Sequence, residues 1–293
     1  TTPLSAFATS LAIVRAGGVP VFVDVDDRGL LDLDAVRAVL ASDPEIRFLV
    51  PVHLFGRPID LDALEELRRS FGLTVVEDCA QSIGARWNGR PTGTVGIAAA
   101  TSFYPTKNLG TLGDGGGVLT HDAGLAERAR SLRHYGQVET YRHVRMGLNS
   151  RLDEVQAAVL ADALLPRLDA WTERRRETAS RYLAEIRNVH LRLPVEPEGS
   201  DPCWHLFPIL VRGTERRSLV EHLRRAGIAS GCHYPTLIPD QPAWNGTARC
   251  LVARPLPRAA AFVRDEISLP IHPFLRPDEV SAVVHACNCW EPS

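Results

Sequence analysis

Apolar positions in the first hundred residues follow two rhythms. Residues 19–25, 46–50 and 73–76 are short runs rich in Val, Ile and Leu, closed off by glycine, proline or acidic residues, which is the pattern of buried strands. Between them, residues 33–40 place apolar side chains at 33, 36, 39 and 40, and residues 61–69 follow Asp60 in the order Pro-Ile-Asp-Leu-Asp-Ala-Leu. Both segments predict helices, the second with Asp60 as its N-cap. An apolar stretch at 11–14 and the pair Gly17-Gly18 precede the first strand. The alternation of strand and helix predicts a mostly parallel sheet covered by helices.

The pattern changes after residue 98. A strand of small residues at 98–102 leads into a run containing Lys107 and a glycine loop at 110–117, with a short strand at 117–120 and a helix at about 124–133. Residues 134–150 are rich in His, Tyr, Arg and Gly, a composition suited to an active-site or interface loop. Helical periodicity runs from 152 to 164 and, past a break at Pro166, on to 186. It predicts a bridge between residues 1–165 and a second domain of 166–293. That domain reads as a strand at 204–211, a helix at 217–226, a strand at 228–234 and helices at 256–265 and 277–288, an α+β layer.

Composition narrows the function classes. The chain has 293 residues, a formal net charge of -2 and 23% charged residues. That balance carries no bias toward nucleic acid or membrane and fits a soluble cytoplasmic protein. No stretch is long and apolar enough to span a bilayer, and the start lacks a signal-peptide pattern. Six scattered cysteines suggest a reducing compartment. Cys287 and Cys289, near His285, would point to different faces of a helix, so no metal site is expected. The chain has no G-x-S-x-G elbow, H-E-x-x-H motif or kinase signature.

The remaining chemistry centres on SFYPTKNLGTLGDGG (102–116) and VVEDCAQSIGA (75–85). Lys107 is either a solvated surface lysine or a Schiff-base anchor; Asp78, at the carboxyl end of a predicted strand, is either a helix N-cap or a partner for a cationic ring. A pyridoxal phosphate site needs both groups, together with donors for the phosphate. Ser102 ends the small-residue strand and suits the phosphate. Asn149 could donate to it or cap a helix. Gln81 could reach a phenolic oxygen or face solvent. Tyr104, His205, His233 and Tyr234 are candidates for the substrate side, or satisfied core and loop residues.

Four segments, VVEDCAQSIGA, SFYPTKNLGTLGDGG, GLNSRLDEVQAAVL (147–160) and ISLPIHP (267–273), resemble signature segments of the DegT/DnrJ/EryC1/StrS family. GIASGCHYP (227–235), Trp204-His205-Leu206-Phe207 and Gln241-Pro242-Ala243 add to the resemblance, which runs in order over essentially the whole chain. These are fold type I, pyridoxal phosphate-dependent aminotransferases of keto sugars. The resemblance implies a three-layer α/β/α large domain, aspartate-aminotransferase-like with a mostly parallel sheet, and a smaller C-terminal α+β domain. It makes Lys107 the Schiff-base lysine, Asp78 the acid at the pyridine nitrogen, Gln81 the neighbour of the ring oxygen and Ser102 a phosphate ligand. Asn149 resembles the asparagine that reaches the phosphate of the neighbouring subunit's cofactor, which implies a homodimer with shared sites. Glutamate or glutamine is the implied amino donor, with pyridoxamine phosphate as the intermediate form of the cofactor.

Two departures from the family pattern stand out. Members carry several dozen residues before the segment that resembles residues 1–26, including a Gly-Thr pair at the phosphate; the expectation from the sequence is an N-terminally truncated relative. The usual ring-stacking aromatic corresponds to Ala6, so Phe7 is the candidate to replace it. The run Asn149-Ser150-Arg151-Leu152-Asp153-Glu154 is more similar to the branch acting on nucleotide-linked 3-keto deoxysugars than to the 4-keto branch. The expected function is amination of a 3-keto-6-deoxyhexose in antibiotic or surface-sugar biosynthesis. The alternatives are a 4-keto sugar nucleotide, a cyclitol such as scyllo-inosose, or a truncated homologue with a regulatory or assembly role.

Overall fold

The computed structural model describes residues 1–211, 215–245 and 249–292. The chain opens with α1 (Phe7–Arg15), β1 (Val21–Phe22), α2 (Leu33–Ser42), β2 (Phe48–Leu49), α3 (Leu61–Phe71) and β3 (Thr74–Asp78). Helices α2 and α3 begin where a carboxylate satisfies otherwise orphaned N–H groups. Asp32 accepts from Asp34 and Ala35, and Asp60 from Asp62 and Ala63. Helix α3 stops at Gly72, whose φ of 62° is the left-handed conformation that glycine adopts without a Cβ clash. The antiparallel pair β4 (Arg86–Trp87) and β5 (Arg90–Pro91) then leads to β6 (Ala98–Ser102) and β7 (Gly116–Leu119).

The sheet order is β2-β3-β6-β7, with the first three strands parallel and β7 antiparallel to β6. Parallel strands end at one edge, and Asp78 pairs in register with Ala100, so Asp78 and Ser102 leave the sheet on the same side. Val36 and Val39 of α2 and Leu64 and Leu67 of α3 share a buried core with Leu49 and Val75 of the sheet. This is the large domain of a three-layer fold type I architecture, as expected.

The chain continues through α4 (Ala123–Leu132), capped by Asp122, and a two-stranded ribbon of β8 (Gln137–Glu139) and β9 (Arg142–His143). Helix α5 (Glu154–Ala158) passes through a π-helical turn (Val159–Leu164) and a 3-10 turn (Leu165–Arg167) into α6 (Leu168–Glu185). Pro166 lies at the head of that 3-10 turn, where its missing N–H breaks the α-helical ladder, as the sequence suggests. Next come β10 (Leu191–Arg192), β11 (Ser200–Asp201), β12 (Phe207–Val211), α7 (Arg216–Arg225), β13 (Leu251–Val252), α8 (Pro257–Asp265), β14 (Glu266–Leu269) and α9 (Pro277–Cys289). Strands β10, β12 and β14 form an antiparallel sheet. Tyr182 of α6 packs edge-on against Phe207 at 5.1 Å over a second core that includes Ile209, Leu219, Ile267 and Val283. Among the described residues no helix is long and apolar enough to cross a membrane.

Several elements differ from the expectations. The stretch at 11–14 belongs to the helix α1; the strand expected at 19–25 keeps Val21–Phe22 and an isolated bridge at Val25, and the one at 46–50 keeps Phe48–Leu49. The strand expected from 204 begins at 207, because Trp204 takes a φ of 46°, outside the extended region. Residues 228–234 form no strand. Only Gly231 pairs, with Ser268, and the next donor along, the N–H of His233, goes to the Glu266 carboxylate instead of a strand. The third strand of this sheet is β14.

One buried charge ties the sheet to the loop before β6. Glu77, next to Asp78 but on the opposite face of β3, accepts N–H bonds from Gly93, Val95 and Gly96 at 2.7–2.8 Å. His53 Nδ1 accepts the N–H of Ile59, so its proton sits on Nε2, which donates to Glu77 at 2.9 Å. Burial works against the Glu77 charge, but the bonds from His53, Gly96 and Gly93 outweigh it and hold the carboxyl below its ordinary value. The resulting stability is present above the unfolded value of 4.5 and is lost as pH falls through the lower folded value. Glu77→Leu strips this set of donors of their acceptor and is expected to cost roughly 3–5 kcal/mol in urea unfolding. A loss below about 1 kcal/mol would mean that the donors find other partners.

Candidate active site

Asp78 is fixed on both oxygens. Oδ2 accepts the Thr9 hydroxyl at 2.7 Å and Oδ1 accepts the N–H of Ala80 at 3.0 Å. Thr9 lies in the first turns of α1 and also bonds Ser5 at 3.2 Å, so this helix sets the orientation of the carboxylate. The main chain of Asp78 is held as well, its N–H donating to Pro51 and its carbonyl accepting from His53.

Lys107 lies in a turn closed by its N–H donating to Tyr104 O at 2.8 Å. Burial lowers the pKa of its amine, and the nearby charge of Asp78 opposes that shift. Among the described residues Nζ forms no hydrogen bond or ion pair. The adjacent Asn108 is the anchor: Nδ2 donates to Cys203 O at 2.9 Å, which leaves Oδ1 to accept from His205 Nδ1 at 3.1 Å. His205 is thereby held as the Nδ1–H tautomer with a free lone pair on Nε2. Burial, then Lys107 and Arg175, push its pKa well below the ordinary value, so it stays neutral.

Gln81 bridges two segments, its Oε1 accepting from Phe55 N at 2.6 Å and its Nε2 donating to the Tyr234 hydroxyl at 3.2 Å. Burial and the negative charge of Asp78 push the Tyr234 phenol up to about 12, so it remains a donor at any physiological pH. The charge of Asp78 bears on Lys107 and Tyr234, that of Lys107 on His205 and His233, and that of His233 on His205.

Other candidates lie elsewhere. Ser102 Oγ, at the shared strand edge, accepts the N–H of Tyr104, whose ring is exposed. The ring of Phe7 packs on Trp244, with centroids 5.5 Å apart. Asn149 is exposed and bonds Arg151 Nε at 3.0 Å; none of its contacts among the described residues is with Lys107 or Asp78. The structure adds Thr9 and Asn108, which no local pattern marks as functional, because each matters only through a partner distant in sequence.

This donor set fits pyridoxal phosphate. It offers a desolvated amine with no partner among the described residues, a carboxylate held at a fixed angle at the strand edge, and hydroxyl and amide groups around them. By contrast, His53, Glu77 and Cys79, whose ligand atoms lie within 4.8 Å of one another, do not form a metal site. Both His53 nitrogens and both Glu77 oxygens are already engaged in internal hydrogen bonds.

The family model described as the DegT/DnrJ/EryC1/StrS aminotransferase family matches residues 1–288. The chain belongs to this family. Members are pyridoxal phosphate-dependent aminotransferases, which accounts for a lysine and a carboxylate brought together at a strand edge. A Streptomyces venezuelae relative, dTDP-3-amino-3,4,6-trideoxy-alpha-D-glucose transaminase, is 45% identical over 285 residues, covering 97% of this chain and 73% of the relative. The solved structure of S. venezuelae DesV in complex with a ketimine intermediate superposes with a TM-score of 0.90 at 43% identity, over 98% of this chain and 76% of that one. NtdA from Bacillus subtilis, solved with bound cofactor PMP, superposes at 0.84 with 27% identity, over 98% of this chain and 66% of that one.

Proposed function

We propose that the protein transfers an amino group from glutamate or glutamine to C3 of a nucleotide-linked 3-keto-6-deoxyhexose. The observation that carries this reading is the 45% identity, over nearly the whole chain, to a transaminase named for a 3-amino trideoxyglucose. Pyridoxal phosphate supplies the carbonyl that carries the amine and the ring that accepts the electron pair when a C–H bond breaks. Lys107 Nζ would hold that carbonyl carbon as an imine and, when free as an amine, would serve as the base that takes the proton from the donor's α-carbon. Asp78, oriented by Thr9 and Ala80, keeps the ring nitrogen protonated. Gln81 would hold the ring oxygen, Ser102 the phosphate, and His205, His233 and Tyr234 the sugar. Phe7 is proposed to take the place of the stacking aromatic.

Supplying purified enzyme with pyridoxal phosphate, L-glutamate and, in turn, a dTDP-linked 3-keto sugar, a 4-keto sugar and scyllo-inosose tests the assignment. Mass spectrometry is expected to find the amino product only with the 3-keto sugar. Strict preference for either other acceptor would overturn the choice of substrate.

The active form is proposed to be a homodimer, with Asn149 of each subunit reaching the other's cofactor phosphate. In support, the segment before Asn149 exposes Tyr141, Val144, Met146 and Leu148, an apolar surface suited to burial between subunits. Asn149→Ala is expected to weaken pyridoxal phosphate binding by roughly tenfold, the worth of one hydrogen bond to a charged group. Sedimentation showing a monomer that still binds the cofactor stoichiometrically would refute the shared site.

A further inference from the structure

Strand β14 carries two buried polar residues that the chemistry at Lys107 leaves unused. Its Ile267 and Leu269 point into the second core, and alternation places Glu266 and Ser268 together on the other face. Residues 231–234 run along the free edge of β14, where Gly231 and Ser268 exchange both backbone hydrogen bonds, and His233 reaches both side chains. Burying a carboxylate and a hydroxyl there is costly unless both are engaged.

Their hydrogen bonds form a directed chain. Ser268 Oγ donates its single hydrogen to Glu266 Oε1 at 2.5 Å, so it can only accept from His233 Nδ1 at 2.9 Å. The other carboxylate oxygen accepts the main-chain N–H of His233 at 2.7 Å. His233 therefore carries its proton on Nδ1 and presents a lone pair on Nε2. Among the described residues that nitrogen has no hydrogen-bond partner.

We propose that Glu266, Ser268 and His233 form a proton relay serving the Lys107 site. A proton taken up at His233 Nε2 forms a new N–H bond there. The Nδ1–H bond breaks as its proton moves to Ser268 Oγ, and the original hydroxyl proton moves to Glu266 Oε1. The imidazole stays neutral throughout, and the carboxylate ends as a neutral acid. Resting on the function proposed above, the proton comes from the ammonium group of the incoming amino donor, whose nitrogen must lose it before attacking.

The surroundings favour this route over a cationic imidazole. Burial and the Lys107 charge both lower the pKa of His233, and His205 lies close enough to sense its charge. Burial pushes Glu266 up to about 7, even with Arg216 and Cys232 facing it and opposing the rise. Glu266 also bears on the Tyr234 phenol, whose own pKa is raised.

Long-range proton–nitrogen spectra of protein labelled at histidine test the relay, with His233→Gln assigning the signal. The expected result is the Nδ1–H tautomer above the Glu266 value and the Nε2–H tautomer below it, with no imidazolium between. Glu266→Gln cannot accept the proton and should freeze the tautomer, and Ser268→Ala should abolish the exchange. A His233 that titrates directly to imidazolium, or keeps one tautomer at every pH, would overturn the proposal. In the half-reaction with L-glutamate followed by cofactor absorbance, Glu266→Gln should slow the rate roughly tenfold with the cofactor band intact. An unchanged rate would overturn the relay's part in donor deprotonation. If the unaltered enzyme does not react with glutamate at all, the choice of donor fails, while the tautomer exchange stands or falls by the spectra.

Discussion

Lys107→Ala is expected to lower amino transfer by about 10⁴-fold or more, because one substitution removes both the covalent anchor and the proton carrier. The fold should survive. Lys107 Nζ makes no hydrogen bond or ion pair among the described residues, and the turn it occupies is held by main-chain bonds and by Asn108. The variant should also lose the visible absorbance band that unaltered protein shows with pyridoxal phosphate. An external amine such as methylamine can replace the covalent function only in part, since it is not positioned. A variant retaining more than about a hundredth of the turnover would show that another group moves the proton.

Asp78→Asn comes next in expected effect, lowering turnover by roughly 10²–10³-fold. The substitution leaves the local hydrogen bonds largely intact. The amide oxygen can still accept from Ala80, and the Thr9 hydroxyl can turn toward Ser5 and accept from the new amide nitrogen. Only the charge disappears, and with it the group that favours protonation of the ring nitrogen. The amine at Lys107 also loses the neighbour that opposes its lowered pKa, so that pKa should fall further. The diagnostic result is therefore a cofactor band that persists while turnover collapses. If turnover stays within about threefold of the unaltered enzyme, the ring nitrogen needs no carboxylate here.

The sequence made legible those features whose cause is local. The helices after Asp32 and Asp60 and the interruption at Pro166 each depend on a residue and its immediate neighbours. Strand β3 and its terminal Asp78 were visible because a buried strand and an acid at its end are both local patterns. Long-range partners were not. Nothing near Glu77 in sequence indicates that His53 and the 93–96 loop will donate to it, and Asn108 gains its role only from Cys203 and His205. Helix α1 was hidden because a short apolar run fits several structures until Thr9 is seen bonding Asp78. Ser268 lay in a recognised segment and Glu266 just before it, but neither gave a sign of facing His233, since residues 228–234 read as a strand.

The central claim is that Lys107, the single lysine of the sequence, carries the cofactor. Treating the enzyme with pyridoxal phosphate, reducing it with borohydride and mapping the digested peptides by mass spectrometry tests this directly. The account predicts one stoichiometric phosphopyridoxyl adduct, on the peptide containing Lys107, absent when L-glutamate is added before reduction. No adduct on that peptide, or one that glutamate fails to remove, would contradict it.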